Sequence, residues 1–281
     1  MAKVIGGITT SHIPAVGNAL ADPAKRNDPY WKRFFDGYDP VREWLSDVKP
    51  DVAIVVYNDH GLNFFLDTIP TLAIGCAHEY KNADEGWALP QLETFPGDAQ
   101  LSWHIVESLI GQEFDPTMCQ EMLVDHGFVV PMHLMWGHLA GWPVKAIPLA
   151  INTVQHPLPT GRRLFNLGKA LRAAIESYPE DLKVVVLGTG GMSHQLQGER
   201  AGLINVDFDL ACMDAVINDP EWLASKSNSE LIEQAGTEGV EIIMWLTMRG
   251  ALHANVNVVQ KHYHAPISNT GAGVLVLENA T

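Results

Sequence analysis

After its first residue Asp51-Val-Ala-Ile-Val-Val-Tyr57 is apolar without a break, and so are the interiors of Lys183-Val-Val-Val-Leu-Gly188 and Gly273-Val-Leu-Val-Leu277. A strand with one wet face alternates apolar and polar residues. A continuous β-branched run belongs to a strand covered on both faces, the habit of parallel or mixed sheets. Helical periods lie between these runs. Leu164, Leu167, Leu171, Ala174, Ile175 and Tyr178 recur at three and four, one stripe of an amphipathic helix, and Leu101, Ile105 and Leu109 do the same before Gly111. Strands alternating with helices predict an α/β fold, one domain over residues 1–281. Its central sheet is expected to be mixed and largely parallel, flanked by helices, with the active site at the strand C-terminal ends. The charged, Pro-bearing stretch from Asp22 to Asp39 reads as an irregular excursion, and Asp84-Glu-Gly-Trp-Ala-Leu-Pro90 as a loop. Gly127 to Val144 lacks Asp, Glu, Lys and Arg but contains Pro131, His133, His138 and Pro143. It reads as a buried helix plus a turn, since a membrane span needs about 20 predominantly apolar residues.

Composition narrows the function. Among 281 residues, 18 Lys and Arg stand against 33 Asp and Glu, a formal charge of −15, with 47% apolar and 18% charged residues. Ordinary soluble domains carry about a quarter charged residues, so this chain has ample core material. A disordered chain is excluded. The negative charge argues against nucleic acid as a partner, because phosphate binding needs Lys and Arg to displace counterions. Cys76, Cys119 and Cys212 are far apart and form no CxxC, which suits a reducing compartment and argues against disulfides or a zinc knuckle. The N-terminal apolar run Val4–Ile8 is too short for a signal peptide, so a cytoplasmic protein is expected.

Histidine is the outlier, 12 residues in a charge-poor chain. His12 follows the first strand in Thr9-Thr10-Ser11-His12-Ile13-Pro14, and His60 follows the second in Tyr57-Asn58-Asp59-His60-Gly61. Both fall where an α/β sheet presents ligands. His194 closes the glycine-rich turn Gly188-Thr-Gly-Gly-Met-Ser-His194, and His126 lies in Val124-Asp-His-Gly127 between a short strand and a helix start. The turn lacks the spacing of either phosphate-binding glycine motif. A carboxylate comes from Thr237-Glu-Gly-Val-Glu241, where Thr237 reads as a helix N-cap and Glu238 as a first-turn acid. Glu241 differs. Met244, Trp245 and Met248 put it on an apolar stripe, so it needs a cationic partner or strong donor, and a metal or an arginine would serve equally. Two histidines and one carboxylate with open positions suit non-haem Fe(II) oxygenases and some zinc hydrolases alike. A non-enzymatic metal scaffold on the same fold is the third reading. The remaining histidines read as structural.

Taken in order, Thr10-Ser-His-Ile-Pro14, Tyr57-Asn-Asp-His60, Asp84-Glu-Gly-Trp87, Val124-Asp-His-Gly127, Gly188-Thr-Gly-Gly-Met-Ser-His-Gln195 and Glu238-Gly-Val-Glu241 resemble the class III extradiol ring-cleaving dioxygenases. Within them the likeness is to the catalytic β subunits of protocatechuate 4,5-dioxygenases, and it runs end to end, through Pro266-Ile-Ser-Asn-Thr270 and Leu277-Glu-Asn279. The resemblance implies an α/β oxidoreductase that opens a catecholic aromatic acid with O2, protocatechuate first, gallate or an O-methylated gallate as the alternative. It implies Fe(II) on His12, His60 and Glu241, catalytic roles for His194 and His126, and carboxylate contacts from Ser268 and Asn269. It also implies a small α subunit as partner. Some relatives fuse a further C-terminal domain, and this chain is too short to carry one. The apolar content leads us to expect an oligomer.

Overall fold

The computed structural model describes residues 1–86 and 91–280. Strands β1 (Lys3–Thr10), β2 (Val52–Tyr57), β3 (Leu72–Gly75), β4 (Glu79–Asn82), β5 (Phe95–Pro96), β6 (Thr117–Cys119), β7 (Leu123–Val124), β8 (Lys145–Ile151), β9 (Lys183–Thr189), β10 (Val256–Ile267) and β11 (Thr270–Asn279) follow in chain order. Eight form one sheet in the order β10-β11-β1-β9-β2-β8-β3-β6, while β5-β4-β7 make a small second sheet. The centre, β1-β9-β2-β8, is parallel throughout, and β10, β11 and β3 run antiparallel to a neighbour, so the sheet is mixed as expected.

The unbroken apolar runs are explained by two cores, one on each side of the sheet. Val52, Ile54 and Val56 of β2 and Val184 and Val186 of β9 point into one core. Their neighbours Ala53, Val55, Tyr57, Val185 and Leu187 point into the other. Alternation along a strand sends successive side chains to opposite faces, and here each face meets helices. Helices α1 (Pro14–Ala21), α2 (Pro23–Arg26), α3 (Pro29–Asp36) and α4 (Asp39–Val48) connect β1 to β2. Next come α5 (Ala99–Gly111), α6 (His126–Trp136), α7 (Gly161–Glu176), α8 (Val206–Asn218), α9 (Pro220–Ser225), α10 (Asn228–Ala235) and α11 (Ile243–Ala251). The apolar stripe of α7 buries Leu164, Leu167, Leu171, Ala174 and Ile175 in the first core, and α6 buries Phe128, Val129, Met132 and Met135 in the second. The stretch after Gly127 is thus the buried helix expected.

Asp22 to Asp39 is not irregular. Asp22 accepts from the Ala24 backbone N–H and Asp28 from that of Tyr30, each followed by a proline in the first helical position of α2 and α3. Asp-Pro is a start signal here: the carboxylate satisfies a free donor, and proline has none to leave unpaired. Of the loop expected over Asp84–Pro90, Asp84 to Gly86 lie outside regular structure, and residues 87–90 lie outside the described residues.

Candidate metal centre and active site

Parallel strands deliver their following loops to one edge of the sheet, and the register makes this literal. Thr10 pairs with Thr189, and Val56 with Gly188, so the segments after β1, β9 and β2 leave side by side. The first carries His12, the second His194 and the third His60.

Each histidine is oriented through its Nδ1. The Thr189 hydroxyl donates to the Gly127 carbonyl at 3.2 Å, so its oxygen accepts from His12 Nδ1–H at 3.0 Å. That fixes the tautomer and leaves the His12 Nε2 lone pair free. His60 donates its backbone N–H at 2.7 Å and Nδ1–H at 3.0 Å to the same oxygen of Asp125. Asp125 is fully buried, and its other oxygen accepts from the Gly127 N–H at 2.9 Å, capping α6. Asp59 steadies the next turn by accepting from the backbone N–H groups of Gly61, Leu62, Asn63 and Phe64. His126, first residue of α6, donates Nδ1–H to Glu85. One ring nitrogen from each of His12, His60 and His126 lies within 4.8 Å of the others.

Glu241 completes the group. Its Oε2 lies 3.4 Å from His12 Nε2 and accepts from the Gly191 N–H at 2.9 Å, while Oε1 accepts from the Asn58 amide at 3.3 Å. The same amide nitrogen lies 3.0 Å from His60 Nε2. Gly190 makes room for the carboxylate. It has φ +95°, and a Cβ there would stand 2.8 Å from Glu241 Cβ and 3.0 Å from its Oε2. Glu241 sits in a 3₁₀ turn, Gly239–Ile242, ahead of α11. Thr237 is therefore not the helix cap expected: its hydroxyl donates to the Glu238 carboxylate, and the 3₁₀ turn intervenes before the helix. Glu238 also departs from its expected place as a plain first-turn acid, since it lines the cavity and accepts from the Leu196 N–H at 3.0 Å.

The electrostatics separate the ligands. Burial lowers the His12 pKa, with the Glu241 carboxylate pulling the other way. Burial alone would lower His60 too, but the Asp125 carboxylate outweighs it and lifts His60 to about 9. Burial would raise Glu241, yet the His12 ring beside it and then His194 and His60 hold it well below the usual carboxylate range. Asp125 is lowered in the same way by His60. Among the described residues, no lysine or arginine pairs with Glu241. A buried anion facing two imidazole nitrogens is a donor set that a divalent transition metal fits, with further positions open on the cavity side. The carboxylate behind His60 is the support that metal-bound imidazoles usually have.

The cavity beside these ligands holds about 620 Å³ and is lined by His12, His60, His126, His194, Glu241 and Ser268 among others. A cleft of about 880 Å³ elsewhere, past Cys76 and Trp103, has no such convergence of ligands. His194 Nδ1–H donates to the Met192 carbonyl at 2.9 Å, so its Nε2 carries the lone pair. Its backbone is pinned by the Ala235 carbonyl at 2.8 Å, an approach that requires glycine at 236, where φ is +94° and a Cβ would sit 2.1 Å from the His194 oxygen. Ser268 and Asn269 form the exposed tip of the β10–β11 hairpin with φ of 48° and 61°, the left-handed pair of a tight primed turn. Ser268 lines the cavity and donates its N–H to the Tyr30 hydroxyl at 2.8 Å, whereas Asn269 stands beside it outside the lining. Among the described lining residues there is no lysine or arginine. The structure thus gathers His12, His60, Glu241, His126, His194 and Ser268. Sequence reasoning missed Glu85, Asn58, Asp125 and Thr189, although all four lay inside motifs it quoted.

Comparison with known proteins places this geometry in a family. Residues 6–275 match the family described as the catalytic LigB subunit of aromatic ring-opening dioxygenase, and the chain belongs to it. Gallate dioxygenase of Pseudomonas putida is 46% identical over 197 residues, 70% of this chain, and the match spans 58% of that protein's length. A 2,3-dihydroxyphenylpropionate/2,3-dihydroxicinnamic acid 1,2-dioxygenase of Photorhabdus laumondii is 26% identical over 96% of this chain and 95% of its own. An uncharacterized Escherichia coli K12 protein of known structure superposes with a TM-score of 0.62 at 13% identity, over 98% of this chain and all of its own, which shows the shared fold.

Proposed function

We propose that this protein opens the ring of a catecholic aromatic acid with O2, beside rather than between the hydroxyls, using Fe(II) on His12, His60 and Glu241. The observation that carries the reading is the buried carboxylate among converging imidazoles, within a family of aromatic ring-opening dioxygenases. Bound iron would supply the open coordination positions and the electron exchange that let O2 react with a catechol. The protein does the rest. His194, with Nδ1 engaged by the Met192 carbonyl, turns Nε2 to the cavity, where it can take a hydroxyl proton from the incoming ring. His126 offers a second nitrogen in the same cavity. Ser268, which lines the cavity, offers the ring's carboxylate an uncharged hydrogen-bond donor, and Asn269 stands beside it at the hairpin tip.

Protocatechuate and gallate differ by one hydroxyl. The end-to-end motif likeness supports the first, and the 46% identity to a gallate dioxygenase supports the second. A small α subunit over the cavity is supported by Leu196, 62% exposed at the rim, and by a lining that carries no lysine or arginine among the described residues. Exposed Phe65 and Leu66 favour subunit contacts. Unpaired thiols at Cys76, Cys119 and Cys212 support a cytoplasmic site of action. No helix among the described residues is long and apolar enough to cross a membrane. The test is anaerobic loading with Fe(II), then oxygen uptake with protocatechuate, gallate and catechol in parallel. Uptake with an aromatic acid and a yellow ring-opened product is expected. Bound iron whose spectrum no catechol perturbs would overturn the reading.

A further inference from the structure

The N-terminus of α6 presents two carboxylates to two adjacent histidines, and the pairs are wired apart. Asp125 holds His60, one of the three residues assigned to the metal. Glu85 holds His126, and both of its oxygens are engaged: Oε1 accepts from the His126 backbone N–H at 2.5 Å and Oε2 from Nδ1–H at 2.5 Å. Glu85 reaches in from 41 residues upstream, and the two side chains are 4% and 8% exposed. Capping does not account for it, because α6 already has its cap in Asp125. A carboxylate locked at two points fixes both the place of the ring and its tautomer. Nδ1–H is committed, so Nε2 is the atom His126 can offer to the cavity it lines. The ring stands with its centroid 3.8 Å from that of His60, tilted by 31°, next to the metal position. His194 is held differently, by the neutral Met192 carbonyl.

We propose that Glu85 is a positioning residue for ring opening: it acts through His126, fixing that ring as a hydrogen-bonding partner for the reacting substrate, and takes no part in holding the metal. The inference rests on the ring-opening reading of the site. An error of about 1 Å in such a group costs about 100-fold in rate. Glu85→Ala is therefore expected to lower kcat by that factor, with KM for protocatechuate or gallate and cobalt(II) affinity in chelator competition changed less than about threefold.

Because Glu85 acts through His126, Glu85→Ala combined with His126→Phe is expected to be no slower than the worse single variant, whereas two independent roles would multiply. Glu85→Gln keeps the shape and one acceptor, so it should fall between wild type and Glu85→Ala, and it serves the same comparison should Glu85→Ala not fold. Unchanged kcat in both Glu85 variants would overturn the proposal, as would multiplicative losses in the double variant. A fall in cobalt affinity matching the fall in kcat would make Glu85 part of the metal scaffold and overturn it too. Wild-type protein whose bound iron shows no spectral response to any catechol sinks the ring-opening reading, and this inference with it. An active wild type matched by Glu85→Ala sinks the inference alone.

Discussion

Replacing Asp125 by Asn tests the metal assignment at the residue behind it. The carboxylate accepts three hydrogen bonds, from the His60 N–H at 2.7 Å, His60 Nδ1–H at 3.0 Å and the Gly127 N–H at 2.9 Å. Asn is isosteric but has one acceptor oxygen. If that oxygen keeps the helix cap, its NH2 confronts two N–H groups of His60, and the ring must turn. Loss of such a partner costs about 10- to 100-fold in metal affinity.

An opposing effect has to be separated. Asp125 is what lifts His60 to about 9, so at pH 7 a metal must first displace a proton, a competition worth about 100-fold over two pH units. The variant escapes that competition, because the burial left behind lowers the histidine. At pH 7 the two effects offset each other. At pH 9 wild-type His60 is half deprotonated and the orientation loss stands almost alone. Zinc or cobalt affinity of apoprotein, read by chelator competition, should rise in wild type by nearly tenfold per pH unit from 7 towards 9 and then level. In Asp125→Asn it should be flat in this range and about 10- to 100-fold weaker than wild type at pH 9. Equal affinity of the two proteins at pH 9 would refute the claim that Asp125 holds a metal-binding His60.

Gly190→Ala should weaken metal binding by at least about tenfold, since the new methyl crowds Glu241 and the +95° φ adds strain of about 1 kcal/mol or more. Metal titration of the folded variant, with far-ultraviolet dichroism to confirm the fold, checks it. His194→Phe should keep stoichiometric iron and lose turnover by about 100-fold or more, whereas His12→Ala and Glu241→Ala should lose the iron itself; metal analysis beside oxygen uptake distinguishes the two outcomes. Tyr30→Phe removes the acceptor of the Ser268 N–H, so KM for the aromatic acid should rise several-fold, about 1 kcal/mol, at unchanged metal affinity. Steady-state kinetics at saturating O2 reads that shift, and an unchanged KM would detach the hairpin tip from substrate binding.

What could be read from the sequence follows from the range of the interactions involved. The runs in β2 and β9 were legible because a strand covered on both faces must be apolar at every position, a local rule. His12, His60 and His194 were legible because each follows the carboxyl end of a strand. Glu241 stood out against Glu238 because its helical neighbours are Met and Trp, yet the 3₁₀ turn that carries it and the cavity position of Glu238 were not visible, since tertiary packing sets both. Prolines 23 and 29 were read as breakers when the preceding aspartates make them starts. Glu85, Asn58 and Thr189 were missed for a different reason. Glu85 meets His126 across 41 residues, Asn58 meets the Glu241 carboxylate across 183 and Thr189 meets His12 across 177, and residue type alone does not say which of these groups pair.

The two ends of the site are built by different parts of the sheet, with a consequence for specificity. The metal side depends on the register of three adjacent parallel strands, β1, β9 and β2, buried between two cores. A shift there would move His12, Thr189 and Asn58 together, so this side tolerates little change. The carboxylate side hangs on a hairpin tip. The β11 strand runs antiparallel to β1 with Val274 opposite Thr10, which carries Ser268 to the same edge as His12. That tip is exposed, held by the Tyr30 hydroxyl and by the bridge between Thr270 and His194. Loops on a rigid scaffold are where ligand choice can vary at least cost to stability. On the proposed reading, discrimination between one more or one fewer ring hydroxyl would fall to the hairpin and the Glu238 turn, while the chemistry would stay with the strands.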